Sequence, residues 1–139
     1  AETEIAISSI ETFGLPIWVS FVLRDNHHLL SGDSISKIIE MVKDYSIDCI
    51  LLNCNPLDRT LMAAEYLAVN WPHKWGVYPN LGIGEPSPNG HIIHYEDMDC
   101  FLSSMKKIIG LEPSIVGACC GSSPEHILGL YNLQYEFSK

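Results

Sequence analysis

The feature that most constrains the fold is a regular alternation of short apolar segments with segments of helical spacing. The apolar segments lie near residues 17–23, 48–54, 74–80 and 114–119 and are rich in β-branched residues, which is typical of buried strands. Segments with apolar residues three and four positions apart lie between them. The predicted order is αβαβαβαβα, and this alternation predicts an α/β protein with a parallel sheet.

Five helices are predicted from the apolar spacing and from residues that favour helix ends. Asp33 or Ser34 can cap the second helix, Gly110 ends the fourth, and Pro124 suits the first position of the last. The predicted helices cover residues 1–11, 35–42, 57–68, 98–109 and the segment from Ser123 onward.

Length and charge exclude several classes of protein. The chain has 139 residues, enough for one domain and one core. Its formal net charge is −9, and its longest basic run is Lys106-Lys107, so nucleic-acid binding is not expected. No apolar run approaches the roughly 18 residues that span a bilayer, and residues 1–4 do not resemble a signal peptide.

Two architectures fit the predicted order of elements. One is a small doubly wound sheet, and the other is a segment of a (β/α)₈ barrel. Length favours the first, because a complete barrel needs about 250 residues. The long Gly- and Pro-rich segment at residues 80–95 follows the third predicted strand, where parallel α/β folds place functional loops.

Three of the five cysteines fall at one end of the predicted sheet. Cys54 closes the second strand, and Cys119 and Cys120 close the fourth. Adjacent side chains in a regular strand point to opposite faces, so both thiols can face one centre only where the ladder breaks, and Gly121 supplies that break. Three thiolates with an open fourth position suit Zn²⁺.

Other interpretations of the cysteines stay open on the residues alone. The three thiols can also be small core residues, and Cys119-Cys120 can form a vicinal disulfide or a thiol redox pair. Cys49 and Cys100 are predicted to be packing residues. An odd number of cysteines without the spacing of a secreted domain predicts a reducing, cytoplasmic setting. The histidines at 27, 28, 91, 94 and 126 are predicted to be surface or structural residues rather than metal ligands.

At these residues the sequence resembles the zinc-dependent homocysteine S-methyltransferase family. The resemblance is carried by Leu52-Asn53-Cys54, by the YPNLG segment at residues 78–82 and by the GACCGSSPEHI segment at residues 117–127. It implies that residues 1–139 form a single partial homocysteine-binding domain. That domain corresponds to the second half, about four strands, of a (β/α)₈ barrel of the TIM type.

The resemblance also implies a site and a reaction. Cys54, Cys119 and Cys120 are implied to hold Zn²⁺, and the homocysteine sulfur to become its fourth ligand and attack a methyl donor, giving methionine. Asn80 is implied to lie near the amino-acid substrate, and Asn53 to support the site beside Cys54. S-Methylmethionine or S-adenosylmethionine is the preferred donor.

Two functions follow from the length of the match. In the first, the chain is the zinc-bearing half of an enzyme that is active when the amino-terminal half-barrel is supplied, with the acidic residues that help to hold the substrate's amino group. In the second, it is a non-catalytic module that binds zinc or homocysteine and associates through its open sheet edges, with itself for instance.

Overall fold

The computed structural model describes residues 2–84, 87 and 89–137, in which four strands alternate with five helices. The elements are α1 (Glu2–Glu11), β1 (Trp18–Phe21), α2 (Ile35–Val42), β2 (Cys49–Asn53), α3 (Leu57–Asn70), β3 (Lys74–Tyr78), α4 (Met98–Ile109), β4 (Ile115–Val116) and α5 (Pro124–Phe137). The predicted order of elements is confirmed. Part of the 80–95 segment, at positions 85, 86 and 88, lies outside the described residues.

The four strands form one parallel sheet in the order β1-β2-β3-β4. Ser20 of β1 lies opposite Leu51 of β2, and Asn53 at the end of β2 lies opposite Tyr78 at the end of β3. Because all strands run in one direction, their carboxyl ends share one edge of the sheet. The predicted parallel α/β architecture is therefore confirmed.

The strands occupy the predicted intervals, but each is shorter, and β4 keeps only two residues. Backbone hydrogen bonds to β3 nevertheless continue beyond β4. The Gly117 N–H donates to the Val77 carbonyl at 2.9 Å, and the Cys119 N–H donates to the Pro79 carbonyl at 2.7 Å. The segment after β4 is thus fixed against β3 as far as Cys119, although it leaves strand geometry.

The helices bury apolar faces against the sheet. Ser34 caps α2 by accepting a hydrogen bond from the Lys37 N–H at 3.2 Å, and α2 and α4 each bury four apolar residues, as the spacing predicts. These are Ile35, Ile38, Ile39 and Val42 of α2 and Phe101, Met105, Ile108 and Ile109 of α4. None of the helices in the described part of the chain is both long and apolar enough to cross a bilayer.

The opposite face of the sheet is open at β1. Phe21 packs into the core and is 8% exposed, whereas Trp18 is 58% exposed. Alternation along the strand places Trp18 and Ser20 on the same face, away from the core. Among the described strands, β1 and β4 are the two edges of the sheet. On the same face, Cys49 and Leu51 of β2 are buried. The part of this face at β1 and the two sheet edges are therefore left for further contacts.

Candidate metal centre

Cys54 lies in a strained turn directly after β2. Its φ is 55°, in the left-handed region that residues other than glycine rarely adopt. Its N–H donates to the Tyr78 carbonyl at 3.0 Å, and its carbonyl accepts a hydrogen bond from Asn80 Nδ2 at 2.7 Å. Hydrogen bonds on both sides of the residue therefore hold it in this conformation and fix the direction of its thiol.

Cys119 and Cys120 lie in a turn that ends at Gly121. The Cys120 carbonyl accepts a hydrogen bond from the Leu81 N–H at 2.9 Å. Gly121 has a φ of 84°, and a Cβ atom built on it would lie 2.4 Å from the ring of Tyr95. Only glycine fits this conformation and this close approach. The break in the ladder that the sequence predicts at Gly121 is thus the point where the chain turns.

The turns after β2 and β4 bring three thiols together. Cys54 Sγ lies 3.6 Å from Cys120 Sγ, Cys119 Sγ lies 3.8 Å from Cys120 Sγ, and all three sulfurs are within 4.8 Å of one another. A tetrahedral zinc with bonds of about 2.3 Å holds its sulfur ligands about 3.8 Å apart. The donor set and its spacing therefore fit a zinc ion with one position left open.

The three thiols are free rather than paired. The 3.8 Å between the sulfurs of Cys119 and Cys120 is far longer than the roughly 2.05 Å of a disulfide bond. Cys54 and Cys119 are half-buried and Cys120 is exposed, so none of them is a fully buried core residue. This degree of exposure does not favour the interpretation of these residues as core packing groups.

The other two cysteines differ from each other. Cys49 is fully buried in β2, and burial raises the pKa of its thiol. Cys100 is exposed at the start of α4, so its prediction as a packing residue is wrong; the adjacent Phe101 occupies the core position instead. A hydrogen bond with Glu96 raises the pKa of the Cys100 thiol. Neither cysteine joins the cluster.

His28 and His126 make structural contacts outside the thiol cluster, and His27, His91 and His94 are exposed. His28 Nδ1 lies 2.9 Å from Asp25 Oδ1. His126 Nδ1 lies 2.9 Å from Ser123 Oγ, and its ring packs edge-on against Phe101 with a centroid separation of 5.1 Å. Within residues 2–84, 87 and 89–137, the three cysteines are the group of side chains placed to hold a metal ion.

Asn80 and Asn53 lie in different surroundings. The Asn80 side chain donates to the Cys54 carbonyl and accepts from the Gly82 N–H at 2.8 Å. Asn53 Oδ1 accepts a hydrogen bond from Ser20 Oγ at 2.7 Å, and Ser20 Oγ also lies 2.7 Å from the Tyr78 hydroxyl. Asn80 thus contacts the backbone of a cluster residue, while Asn53 belongs to a polar group on the open face of the sheet.

A cavity of about 280 Å³ adjoins the cluster. Cys54, Cys120, Asn80 and Arg59 are among the residues that line it. Further lining residues are Leu30, Ile83 and Ile92. The cavity therefore combines a thiol end, aliphatic walls and polar groups, which suits a small molecule with an apolar stem and a polar head.

Asn55 is a residue of this region that the sequence analysis does not single out. It directly follows Cys54 and is fully buried. The available signal is the Asn55-Pro56 dipeptide, which marks a turn, but a turn residue is ordinarily exposed. Only the folded chain shows that its side chain reaches back to β1.

One known protein family matches nearly the whole chain. The profile of the homocysteine S-methyltransferase family matches residues 1–133. A selenocysteine methyltransferase from Astragalus bisulcatus is 27% identical over 126 residues, which cover 85% of this chain and 36% of that protein. The chain thus spans about a third of the length of this relative.

Solved structures of the homocysteine methyltransferase MmuM from Escherichia coli have a similar fold. The apo form matches with a TM-score of 0.75 and 21% identity, covering 94% of this chain and 44% of that one. The metallated form matches with a TM-score of 0.74 and 21% identity, covering 93% and 40%. Because the family profile covers nearly all of the sequence, the chain belongs to the homocysteine S-methyltransferase family.

Proposed function

We propose that the chain is the zinc-bearing part of a homocysteine S-methyltransferase, which moves a methyl group to homocysteine and forms methionine. The proposal rests on the cluster of Cys54, Cys119 and Cys120. Their sulfurs lie within 4.8 Å of one another at the carboxyl edge of a parallel sheet. The metallated form of a structurally similar homocysteine methyltransferase supports a metal at such a site.

The cluster suits activation of a thiol acceptor. Bound zinc would leave a position for the acceptor sulfur and would make its thiol ionise at neutral pH. The cavity beside Cys54 and Cys120 offers aliphatic side chains at Leu30 and Ile83 for the acceptor's apolar stem, and Asn80 also lines it. In the transfer, the acceptor sulfur bonds to the methyl carbon while the carbon–sulfur bond of a sulfonium donor breaks. The bonding pair stays on the donor sulfur.

The proposal includes a second half of the site from outside this chain. The chain covers 40–44% of the similar homocysteine methyltransferase structures, and the open sheet face leaves Trp18 58% exposed. We propose that a complementary half-barrel, from the same parent protein or a partner, closes this face. It would add the groups that hold the substrate's amino group and the donor, either S-methylmethionine or S-adenosylmethionine. Metal binding needs reduced thiols, so the proposed setting is the cytoplasm.

Methyl transfer in the presence of the complementary half tests the proposal. The reduced chain is loaded with zinc, mixed with the amino-terminal half of a family enzyme and given homocysteine with each sulfonium donor. We expect methionine to form with one of the donors, and a Cys54→Ser variant to form none. A mixture in which wild-type chain holds no zinc and transfers no methyl group rules the proposal out. A Cys100→Ser variant, altered at an exposed thiol outside the cluster, is the matched control.

A second candidate is a non-catalytic module that pairs with a second copy through its edges. The observation that favours it is a set of large apolar side chains left exposed on α1, β1 and α5. These are Ile5, Ile10, Trp18, Ile127, Leu128, Tyr131, Tyr135 and Phe137. Sedimentation under reducing conditions separates the candidates. A stable dimer that binds zinc without methyl transfer in the mixture above favours the module, and a stable monomer contradicts it.

A further inference from the structure

Asn55 is a buried polar side chain next to a residue of the thiol cluster. It is 0% exposed, and Asn55 and Thr60 are the buried polar side chains among the described residues. A buried amide is retained at little cost only when its polar atoms are hydrogen-bonded. The hydrogen bonds that Asn55 makes therefore indicate why an amide side chain stands at this buried position.

The Asn55 side chain connects two strand ends. Its Oδ1 accepts a hydrogen bond from the Leu23 N–H at 2.6 Å, and its Nδ2 donates to the Phe21 carbonyl at 3.5 Å. Both partners belong to the backbone at the end of β1. The side chain thus holds the residue after Cys54 against the neighbouring strand.

The Asn55 backbone makes a second connection, toward β3. Its carbonyl accepts a hydrogen bond from the Asn80 N–H at 2.9 Å, and the Asn80 side chain donates to the Cys54 carbonyl at 2.7 Å. Asn55 is therefore fixed on one side by β1 and on the other by the loop that also contacts Cys54.

These hydrogen bonds of Asn55 lie next to the strained backbone of Cys54. Cys54 has a φ of 55°, and such a conformation persists only when the surrounding structure determines it. Relaxation of φ toward the ordinary region would turn the Cys54 side chain away from Cys120, whose sulfur now lies 3.6 Å from it. A fixed Asn55 keeps the following peptide in place and prevents this relaxation.

We propose that Asn55 is a positioning residue for the metal site: its side-chain bonds to the end of β1 hold Cys54 in the conformation that aims its thiol at Cys119 and Cys120. The inference rests on the proposed metal function of the cluster. It assigns Asn55 no contact with metal or substrate. Residues that orient metal ligands in this way typically contribute roughly 10–100-fold to metal affinity.

The test measures metal binding by the reduced 139-residue chain carrying Asn55→Leu, which keeps the side-chain size and removes both polar atoms. Thr60→Val is the matched control. Thr60 is equally buried and its hydroxyl donates to the carbonyls of Asn55 and Pro56 at 3.2 and 2.9 Å, so these two side-chain hydrogen bonds do not go to β1. Zn²⁺ affinity is measured by competition with a chromophoric chelator, and Co²⁺ spectra report the ligand geometry. Circular dichroism shows that each variant is folded.

We expect Asn55→Leu to lose roughly 10–100-fold in Zn²⁺ affinity and to weaken the thiolate-to-cobalt and tetrahedral bands, while Thr60→Val stays within about threefold of wild type. Wild-type affinity and spectra for Asn55→Leu overturn the inference, as does an equal loss in Thr60→Val. If the leucine variant does not fold, Asn55→Ser replaces it under the same criteria. Failure of both to fold makes Asn55 a residue of the fold and overturns the inference. A wild-type chain that binds neither metal refutes the proposed function itself.

Discussion

The sulfur atoms of Cys54 and Cys120 lie 3.6 Å apart, although 66 residues separate them along the chain. The separation is short because β2 and β4 end at the same edge of a parallel sheet and each is followed by a turn. The end of β3 accepts hydrogen bonds from both turns, through the Tyr78 carbonyl on one side and the carbonyl of the following Pro79 on the other. The thiol cluster is therefore a product of the sheet topology.

Replacing any one cluster cysteine by serine is expected to remove metal binding. A hydroxyl is a poor zinc ligand compared with a thiolate, and two remaining thiols leave the site incomplete. For Cys54→Ser, Cys119→Ser and Cys120→Ser, the loss of Zn²⁺ affinity should exceed the roughly 10–100-fold that an outer contact contributes. Chelator competition measures it. Cys100→Ser, at an exposed position on α4, should bind as wild type does, and a comparable loss there would contradict the assignment.

Alanine at position 121 is expected to destabilise the fold and disturb the cluster. Its Cβ would lie 2.4 Å from the Tyr95 ring at a φ of 84°, so strain and overpacking together should cost roughly 1–3 kcal/mol. Gly14→Ala is the control, because its φ is 65° with no described atom within 4 Å of the added carbon. That change should cost about 1 kcal/mol of backbone strain alone. Urea unfolding gives both values, and equal values would show that the Tyr95 contact is unimportant.

Alkylation should separate the five thiols into three classes. With zinc present, iodoacetamide should modify Cys100 alone, slowly at neutral pH, because the adjacent Glu96 raises the pKa of this thiol. Removal of zinc should expose Cys54, Cys119 and Cys120, whereas Cys49 should react only after unfolding because it is fully buried. Peptide mass spectrometry measures each site. Equal labelling of the cluster with and without zinc would contradict metal binding there.

The sequence alone predicts the order of the helices and strands and the meeting of the three cluster cysteines at one edge of the sheet. Periodicity separates strands from helices, and parallel strands place Cys54 and Cys119 at one edge whatever their spacing along the chain. Gly121 indicates a break because glycine adopts backbone conformations that end a strand, and the structure adds that a side chain there has no room. The same reasoning does not give the ends of β4, since the Gly117 N–H continues to bond to β3 after strand geometry has ended.

Side-chain burial at individual positions is harder to predict. The apolar spacing of Leu57, Leu61, Ala64 and Ala68 predicts these residues as the inner face of α3. All four pack against the core, Leu61 and Ala68 only partly buried, but the helix also buries Thr60, Ala63 and Leu67. Thr60 faces the turn that contains Asn55, where its hydroxyl finds an acceptor at 3.2 Å. Such a buried polar contact depends on tertiary packing and leaves no periodic signal in the sequence.

Asp25 is expected to stay ionised in acid. The His27 N–H and the His28 side chain hydrogen-bond to its carboxylate and hold its pKa well below its usual range. The pKa is lower in the folded state, so this stabilisation is complete above the unfolded pKa of about 3.9 and is lost as pH falls through the folded value. A carboxyl carbon NMR titration should show Asp25 still ionised at about pH 3. A midpoint near 4 would contradict these hydrogen bonds.

Zinc K-edge X-ray absorption on the reduced, zinc-loaded chain counts the ligands of the metal and so tests the proposed site itself. We expect three sulfur neighbours at about 2.3 Å, rising to four when homocysteine is added, and a lower sulfur count in Cys54→Ser. A first shell of oxygen or nitrogen neighbours alone, or a sulfur count that Cys54→Ser leaves unchanged, would contradict it.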